Sequence, residues 1–387
     1  MKKSLAYFQS GGPTAVINCS LAGVLLETSH HPEIDEVYGA KYGIEGLIND
    51  DLIRLDILDQ PTREGLENTP GAVLGSSRKK LPEDLSDPVY ERILTTLKAH
   101  HIAYLLVNGG NDSMDTCHRL SDFFISRHLD IRVLGIPKTI DNDLALTDHS
   151  VGYPSAARHV IASTAMIIDD AKAYKKGKIV LVEIMGRDTG WLTAAVDLLP
   201  EKRRPDLIYV PEMRWDEDDF LKRVQMVYEQ NGYAVCALSE GMPICHQNDC
   251  GVDSFGHRPL EGCCLALGHI IDEKLHIANR TIELSIPTRS DPYLRSSIDV
   301  NEAKGTGAFA VQQILTGKSG QMVVIKRLSS KPYRSEFALA PVEKIADQTV
   351  YLPASYLQDP TRFSEAFRDY LRPLLGDEIV YPTASIL

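Results

Sequence analysis

Residues 102–113 read IAYLLVNGGNDS, an apolar run that passes directly into paired glycines and then into polar residues able to start a helix. Apolar residues on both alternating faces suit a strand covered on both sides, as in a parallel sheet wrapped by helices. Ser113 is placed to cap a helix from Met114 onward. The stretch also poses a problem of charge. Backbone N–H groups at a helix start attract anions, yet Asp112 puts a carboxylate there.

The same alternation recurs along the chain. Strands are expected at Leu5–Phe8, Val37–Lys41, Ile102–Val107, Ile131–Ile136, Ile179–Ile184, Leu207–Val210 and Tyr233–Leu238. Helices are expected at Ala15–Glu27, Met114–Ser126, Ser155–Ala173, Thr189–Leu199, Glu217–Glu229 and Leu260–His276. This is a doubly wound α/β plan, in which ligands collect outside the carboxyl ends of the strands. Strand ends lead into polar or glycine-rich turns at SGGPT (10–14), GGNDS (109–113) and MGRDTG (185–190).

With 387 residues the chain is long for one ordinary core and suits two domains, or one large one with insertions. It carries 41 basic against 53 acidic side chains, a net charge of −12. That balance argues against a nucleic acid or an anionic membrane as partner, and leaves any anionic substrate to a few focused cations. The opening MKKSLAYFQSGG is interrupted by Gln9 and Ser10, so neither a secretory leader nor a membrane span is expected, and the cytoplasm is the expected location. Seven cysteines without a regular framework point to reduced thiols. Cys245, Cys250, Cys263 and Cys264, with His246 and His257, lack the C-x-x-C spacing of a structural zinc site and are expected to hold no metal.

The stretch GIPKTIDND (135–143) sets Lys138, Thr139, Asp141 and Asp143 close together. In an extended segment Thr139, Asp141 and Asp143 point the same way. Carboxylates gathered beside a lysine suit an anion, a metal or a proton-transfer task. They also suit phosphoryl transfer, where a carboxylate takes the proton of the attacking hydroxyl and Mg²⁺ with cations spreads the moving charge. Taken singly, each turn has a plainer reading, since glycine, Asn and Asp also build ordinary turns.

SGGPT, LGSSR (74–78), GGNDS, PKTIDND (137–143), MGRDTGW (185–191), LSEGM (238–242) and DPYLR (291–295), in this order, resemble the phosphofructokinase family over roughly three quarters of the chain. The resemblance implies two doubly wound, Rossmann-like three-layer α/β domains with the active site in the cleft between them. Residues 1–152 would bind the phosphoryl donor, completed by a returning segment near 296–345. Residues 153–295 would bind the sugar phosphate, with C-terminal helices to 387.

The implied activity is transfer of a phosphoryl group to the 1-hydroxyl of fructose 6-phosphate, a step of glycolysis and gluconeogenesis. Family members use either ATP or pyrophosphate. Its ATP users typically have glycine at the positions of Asp112 and Lys138, and its pyrophosphate users aspartate and lysine. Pyrophosphate is therefore the expected donor and the reaction is expected to be reversible. The chemistry agrees, because a carboxylate in place of a hydrogen crowds and repels a nucleotide α-phosphate, while an ammonium serves free pyrophosphate.

By resemblance, Asp141 is the general base, Asp143 orients a neighbouring cation or water, and Thr139, Lys138 and Arg187 meet the transferred group. Gly11, Gly12, Arg78, Gly110, Asp112 and Ser113 join Lys138 around pyrophosphate, with Tyr42 a weaker candidate. Thr139, Asp141, Met185, Gly186, Arg187 and Glu240 would hold the sugar, and Tyr293 and Arg295 its 6-phosphate. Lys178 and Arg280 fall where many members supply cations across a subunit interface, which implies a homodimer or homotetramer. Mg²⁺ is the implied cofactor, with Asn111 and Asp112 as its candidates. The commoner family sequences GGDDS and GGDGS have aspartate where this chain has Asn111, and a neutral amide is a poorer ligand for a hard cation. Two alternatives are an ATP-dependent enzyme of the same fold and a sugar-phosphate-binding regulator that has lost catalysis.

Overall fold

The computed structural model describes residues 3–244, 262–377 and 379. The chain opens with β1 (Lys3–Gln9), α1 (Ile17–Thr28), β2 (Ile34–Ala40), α2 (Ile44–Asn49), β3 (Leu52–Arg54), α3 (Gln60–Leu66) and α4 (Pro88–Ala99). It continues through β4 (Ile102–Gly109), α5 (Asn111–Ser126), β5 (Arg132–Pro137), α6 (Tyr153–Ala171), β6 (Ile179–Ile184) and α7 (Trp191–Ala195). Next come β7 (Leu207–Tyr209), α8 (Glu217–Asn231), β8 (Ala234–Ser239), α9 (Cys263–Leu275), β9 (Asn279–Glu283) and α10 (Ser297–Leu315). The hairpin β10 (Gln321–Ser330) and β11 (Tyr333–Pro341), the short pair β12 (Leu357–Asp359) and β13 (Arg362–Phe363), and α11 (Glu365–Leu371) complete it.

A seven-stranded sheet runs β11-β10-β5-β4-β1-β2-β3, and a four-stranded sheet runs β7-β8-β6-β9. The smaller sheet is parallel throughout. The larger is parallel in its middle and antiparallel at both edges, where β2 meets β3 and β10 meets β11. The apolar runs are covered on both faces. Leu5, Tyr7, Leu106 and Leu134 enter one core with α1 and α10, while Ala6, Phe8, Leu105 and Val107 enter another with α4 and α5. The smaller sheet divides likewise, with Val180 and Val182 against α6 and α7, and Ile179 and Leu181 against α8 and α9.

Strand starts and helix lengths differ from expectation at several points. The strand expected to reach Lys41 ends at Ala40, and the helix expected over 189–199 is α7 followed by a tight turn at Val196–Leu198. The long helix α10 lay outside the expected set because its sequence is rich in small residues. A Cβ on Gly307 would stand 2.1 Å from the Ser20 carbonyl oxygen, and one on Gly23 would stand 2.0 Å from that of Lys304. Only glycine allows α1 and α10 to approach so closely, and that packing weakens the apolar periodicity. Among the described residues no helix is long and apolar enough to cross a membrane.

Cys245, His246, Cys250 and His257 lie outside the described residues. Cys263 and Cys264 are buried beside Glu183, whose carboxylate accepts the N–H groups of Gly262 (3.0 Å) and Cys264 (2.8 Å). Glu183 thereby serves the unpaired donors at the start of α9, which accounts for the grouping without a metal.

Candidate active site

The carboxyl ends of β1, β4, β5, β6 and β8 open into one cavity of about 550 Å³. Gly11 and Gly12 follow β1, Gly110 to Ser113 follow β4, and Lys138, Thr139, Asp141 and Asp143 follow β5. Met185, Gly186 and Arg187 follow β6, and Glu240 follows β8. Arg78 joins them from the loop after α3. Most of the residues singled out in the sequence are thus brought together, by the arrangement that doubly wound sheets use for ligands.

Lys138 is almost fully buried, and its Nζ donates to the Gly12 carbonyl at 2.6 Å. Burial lowers its pKa to about 8, against the pull of Asp141 in the other direction. Thr139 Oγ1 accepts the Asp141 N–H at 3.1 Å. Burial raises the Asp141 carboxyl although Arg187, Arg289 and Lys138 act against it. Burial and then the Asp141 charge raise Asp143 to about 7. Burial thus favours a carboxyl group able to hold a proton, which general-base work requires.

The PKTIDND segment is not extended. Asn142 takes a left-handed conformation (φ 58°), fixed by its Oδ1 accepting the Ser150 N–H at 2.8 Å and its Nδ2 donating to the Tyr370 hydroxyl at 3.0 Å. Asn142 turns inward, and Thr139, Asp141 and Asp143 still line the cavity. Across from them Glu240 accepts the N–H groups of Gly186 (3.2 Å) and Arg187 (2.9 Å), with Arg187 also left-handed (φ 51°). Burial raises the Glu240 carboxyl.

Asp112 is ion-paired with Lys80 at 3.0 Å, so the carboxylate of GGNDS faces a cation that was not among the expected site residues. Asn111 donates its amide to the Gln348 carbonyl at 2.7 Å. Asn111 Oδ1 and Asp143 Oδ1 are buried oxygens with no hydrogen-bond partner among the described residues.

Five expected site residues stand elsewhere. Tyr293 is 92% exposed, and Arg295 is spent on the Glu67 carbonyl and on Asn68 Oδ1 (3.0 Å). Neither lines the cavity; the loop after Asp291 is used to join α10 to α3. Lys178 and Arg280 are exposed at the amino end of β6 and in β9, away from the cavity of the same chain. Tyr42 packs its ring over Gly75 and lies outside the lining. The sequence reading missed Arg289, whose guanidinium lies over Gly12 at 3.6 Å from the position of an added Cβ, and Asp347 and Thr349, which enter from beyond β11. Arg289 ends a short turn, IPTR, without glycine or carboxylate to draw notice. The only signal for it was its place just after a strand of the second sheet.

Residues 4–314 match the family model described as Phosphofructokinase. The chain belongs to the phosphofructokinase family and is a phosphotransferase. It is 36% identical over 97% of its length to the pyrophosphate--fructose 6-phosphate 1-phosphotransferase of Xanthomonas campestris pv. campestris (strain B100), covering 92% of that protein. It is 32% identical to the sulfofructose kinase of Alkalicoccus urumqiensis, over 93% of each chain. The crystal structure of the pyrophosphate-dependent phosphofructokinase from Marinobacter aquaeolei superposes with a TM-score of 0.86 at 32% identity, over 99% of this chain and 94% of that one.

Proposed function

We propose that this protein transfers a phosphoryl group from pyrophosphate to the 1-hydroxyl of fructose 6-phosphate, giving fructose 1,6-bisphosphate and phosphate. The observation that carries the choice of donor is the pairing of Asp112 and Lys138 in one cavity. The Lys138 ammonium stands beside Gly12 where a small anion can reach it, and the Asp112–Lys80 pair occupies the space beside the same loop. Pyrophosphate fits between these charges, and a nucleoside attached to a third phosphate would meet the Asp112 carboxylate.

In this reading the sugar 1-hydroxyl oxygen attacks the terminal phosphorus in line. Its proton passes to Asp141, the bond to the bridging oxygen breaks, and phosphate leaves against Lys138 and the backbone of Gly11 and Gly12. Arg187 and Arg289, which both act on Asp141, face the charge that builds on the moving group. Glu240 fixes the turn that presents Arg187. Because one anhydride is exchanged for one ester, the same groups serve the reverse reaction.

The cavity is lined by Asp112, Asp141, Asp143, Asp188, Glu240 and Asp347 against Arg78, Lys80, Lys138, Arg187 and Arg289. Adding a polyanion to this set calls for a further positive charge, and Mg²⁺ suits it. The orphaned oxygens of Asn111 and Asp143 are hard donors of the kind that ion takes. Asp112 was the other candidate, and its pairing with Lys80 makes Asp143 the better one. Bound there, Mg²⁺ would neutralise part of the donor's charge.

We also propose a homo-oligomer in the cytoplasm, a setting that suits the free thiols of Cys19, Cys117 and Cys236. The deciding experiment measures turnover with pyrophosphate and with ATP, each offered with fructose 6-phosphate and with sulfofructose. Rapid turnover with pyrophosphate and fructose 6-phosphate alone is expected. Turnover with ATP and none with pyrophosphate would overturn the donor, and a preference for sulfofructose would overturn the acceptor.

A further inference from the structure

Beyond β11, residues 347–352 run past three of the turns of the site, those of GGNDS, PKTIDND and MGRDTGW, outside the stretch matched by the family model. The Gln348 carbonyl accepts the Asn111 amide at 2.7 Å. The Val350 N–H donates to the Asp143 carbonyl at 2.9 Å, and the Val350 carbonyl accepts Trp191 Nε1 at 2.9 Å. Glu212 Oε1 takes both the Leu352 N–H (2.9 Å) and the Gly190 N–H (3.0 Å). The segment is anchored at both ends: Val342 and Ile345 are buried with α5 in the core of the larger sheet, and Leu352 is buried in the core of the smaller. Asp347 and Thr349 line the cavity between these anchors, and Asp347 holds a left-handed turn (φ 58°).

We propose that Asp347 is a cation-binding residue of the donor site, supplying from this strap the carboxylate that position 111 lacks. Asn111 is an amide because it must donate to the Gln348 carbonyl; an aspartate there would set a carboxylate against a carbonyl oxygen at hydrogen-bond distance. That contact fixes the residue next to Asp347 at the start of α5. It leaves Asn111 Oδ1, with Asp143 Oδ1, as buried oxygens without partners beside the same space. Among the described residues no hydrogen bond or ion pair occupies the Asp347 carboxylate, so its charge is available to an ion in the cavity. A magnesium ion usually takes one or two carboxylates together with phosphate oxygens and water, which this arrangement provides.

The inference rests on the reading of the donor as magnesium pyrophosphate. The test titrates Mn²⁺ into the full-length protein holding methylene diphosphonate, a pyrophosphate analogue that is not hydrolysed, and follows free Mn²⁺ by electron paramagnetic resonance. Asp347→Asn keeps the shape, and Asp347→Gly suits the left-handed backbone, so the pair guards against misfolding. Both are expected to weaken Mn²⁺ by at least about tenfold while fructose 6-phosphate binding stays within about twofold. Mn²⁺ affinity equal to that of the wild type in both variants would overturn the proposal. The titration is repeated with a non-hydrolysable ATP analogue. Should the wild type take the ion only with that analogue, the pyrophosphate reading falls, and Asp347 stands or falls on the same tenfold criterion in that complex.

Discussion

The ammonium of Lys138 lies where burial makes charge costly, with a pKa of about 8 in the unliganded site. Below that pH it is a cation ready for pyrophosphate; above it, binding must first restore the proton. The apparent KM for pyrophosphate is therefore expected to rise by about tenfold per pH unit above pH 8, and Lys138→Met should show a high KM with that slope removed. Initial rates between pH 7 and 10 check this, and a wild-type KM that stays level would take Lys138 out of donor binding. For Asp141, replacement by Asn should lower kcat by about 10²- to 10⁴-fold with sugar binding kept, as read by turnover and calorimetry. Unchanged turnover would remove its role as base. Lys138 and Asp141 stood out in the sequence as a lysine beside gathered carboxylates, and their expected roles came from the family resemblance. Lys80, Arg289 and Asp347 were not, since each gains its meaning from a partner far along the chain. Arg295 misled for the same reason: a guanidinium suited to phosphate is equally suited to the carbonyl of Glu67.

Elements are held around the site by a buried charge cluster. His149, which has no exposed side-chain surface, contacts Asp148 (2.9 Å) and Glu302 of α10 (2.7 Å). Glu302 also accepts hydrogen bonds from Tyr333 (2.7 Å) and Ser335 (2.6 Å) of β11. Arg327 of β10 pairs with Asp148 at 2.8 Å, and the Asp148 carbonyl accepts the same Tyr370 hydroxyl that meets Asn142. The cluster thus ties α10, β10 and β11 to the loop carrying Asp141. Burial works against the charged imidazole, but Glu302 and Asp148 outweigh it and raise His149 to about 9. A raised folded pKa stabilises fully below pH 6.5 and loses its contribution as pH rises through 9. Lys138, with its lowered pKa, works in the opposite sense above pH 8, so the informative comparison is between wild type and His149→Gln, which share it. The wild type should lose about 3 kcal/mol more stability than the variant between pH 6 and 10 in urea titrations. Equal slopes would mean that His149 is neutral in the fold. Glu302→Gln should cost about 3–5 kcal/mol at pH 7 by leaving the imidazolium half paired. At this scale the central parallel strands were readable as continuous apolar runs, whereas α10 and the edge strand β11 were not. The helix packs through small residues and β11 alternates with partial exposure at the sheet edge, whereas β10 carries a buried apolar run, Met322–Ile325, that was not among the expected strands.

Across the whole molecule, the cavity draws its residues from the carboxyl ends of strands in both sheets, and Lys178 and Arg280 sit at the other end. β6 runs from Ile179 to Ile184, so Lys178 and Met185 are separated by about 20 Å of extended chain, more than a lysine side chain can span. Arg280 pairs with Val180 near the same end. If these cations serve the sugar phosphate, they serve it in the cavity of another copy, as an isologous pair of subunits would allow. Two chains with complementary defects test this. One carries Asp141→Asn and lacks the base; the other carries Lys178→Ala with Arg280→Ala and lacks the cations. Each alone is expected to be nearly inactive at low sugar concentration. In a hybrid isolated through a different tag on each chain, one site gathers both defects and its twin gathers none, so about half of the wild-type activity per dimer should return. Recovery no greater than the mean of the two parents would show that the cations act within their own chain or not at all. A sugar KM unchanged in the Lys178→Ala, Arg280→Ala parent would decide for the latter.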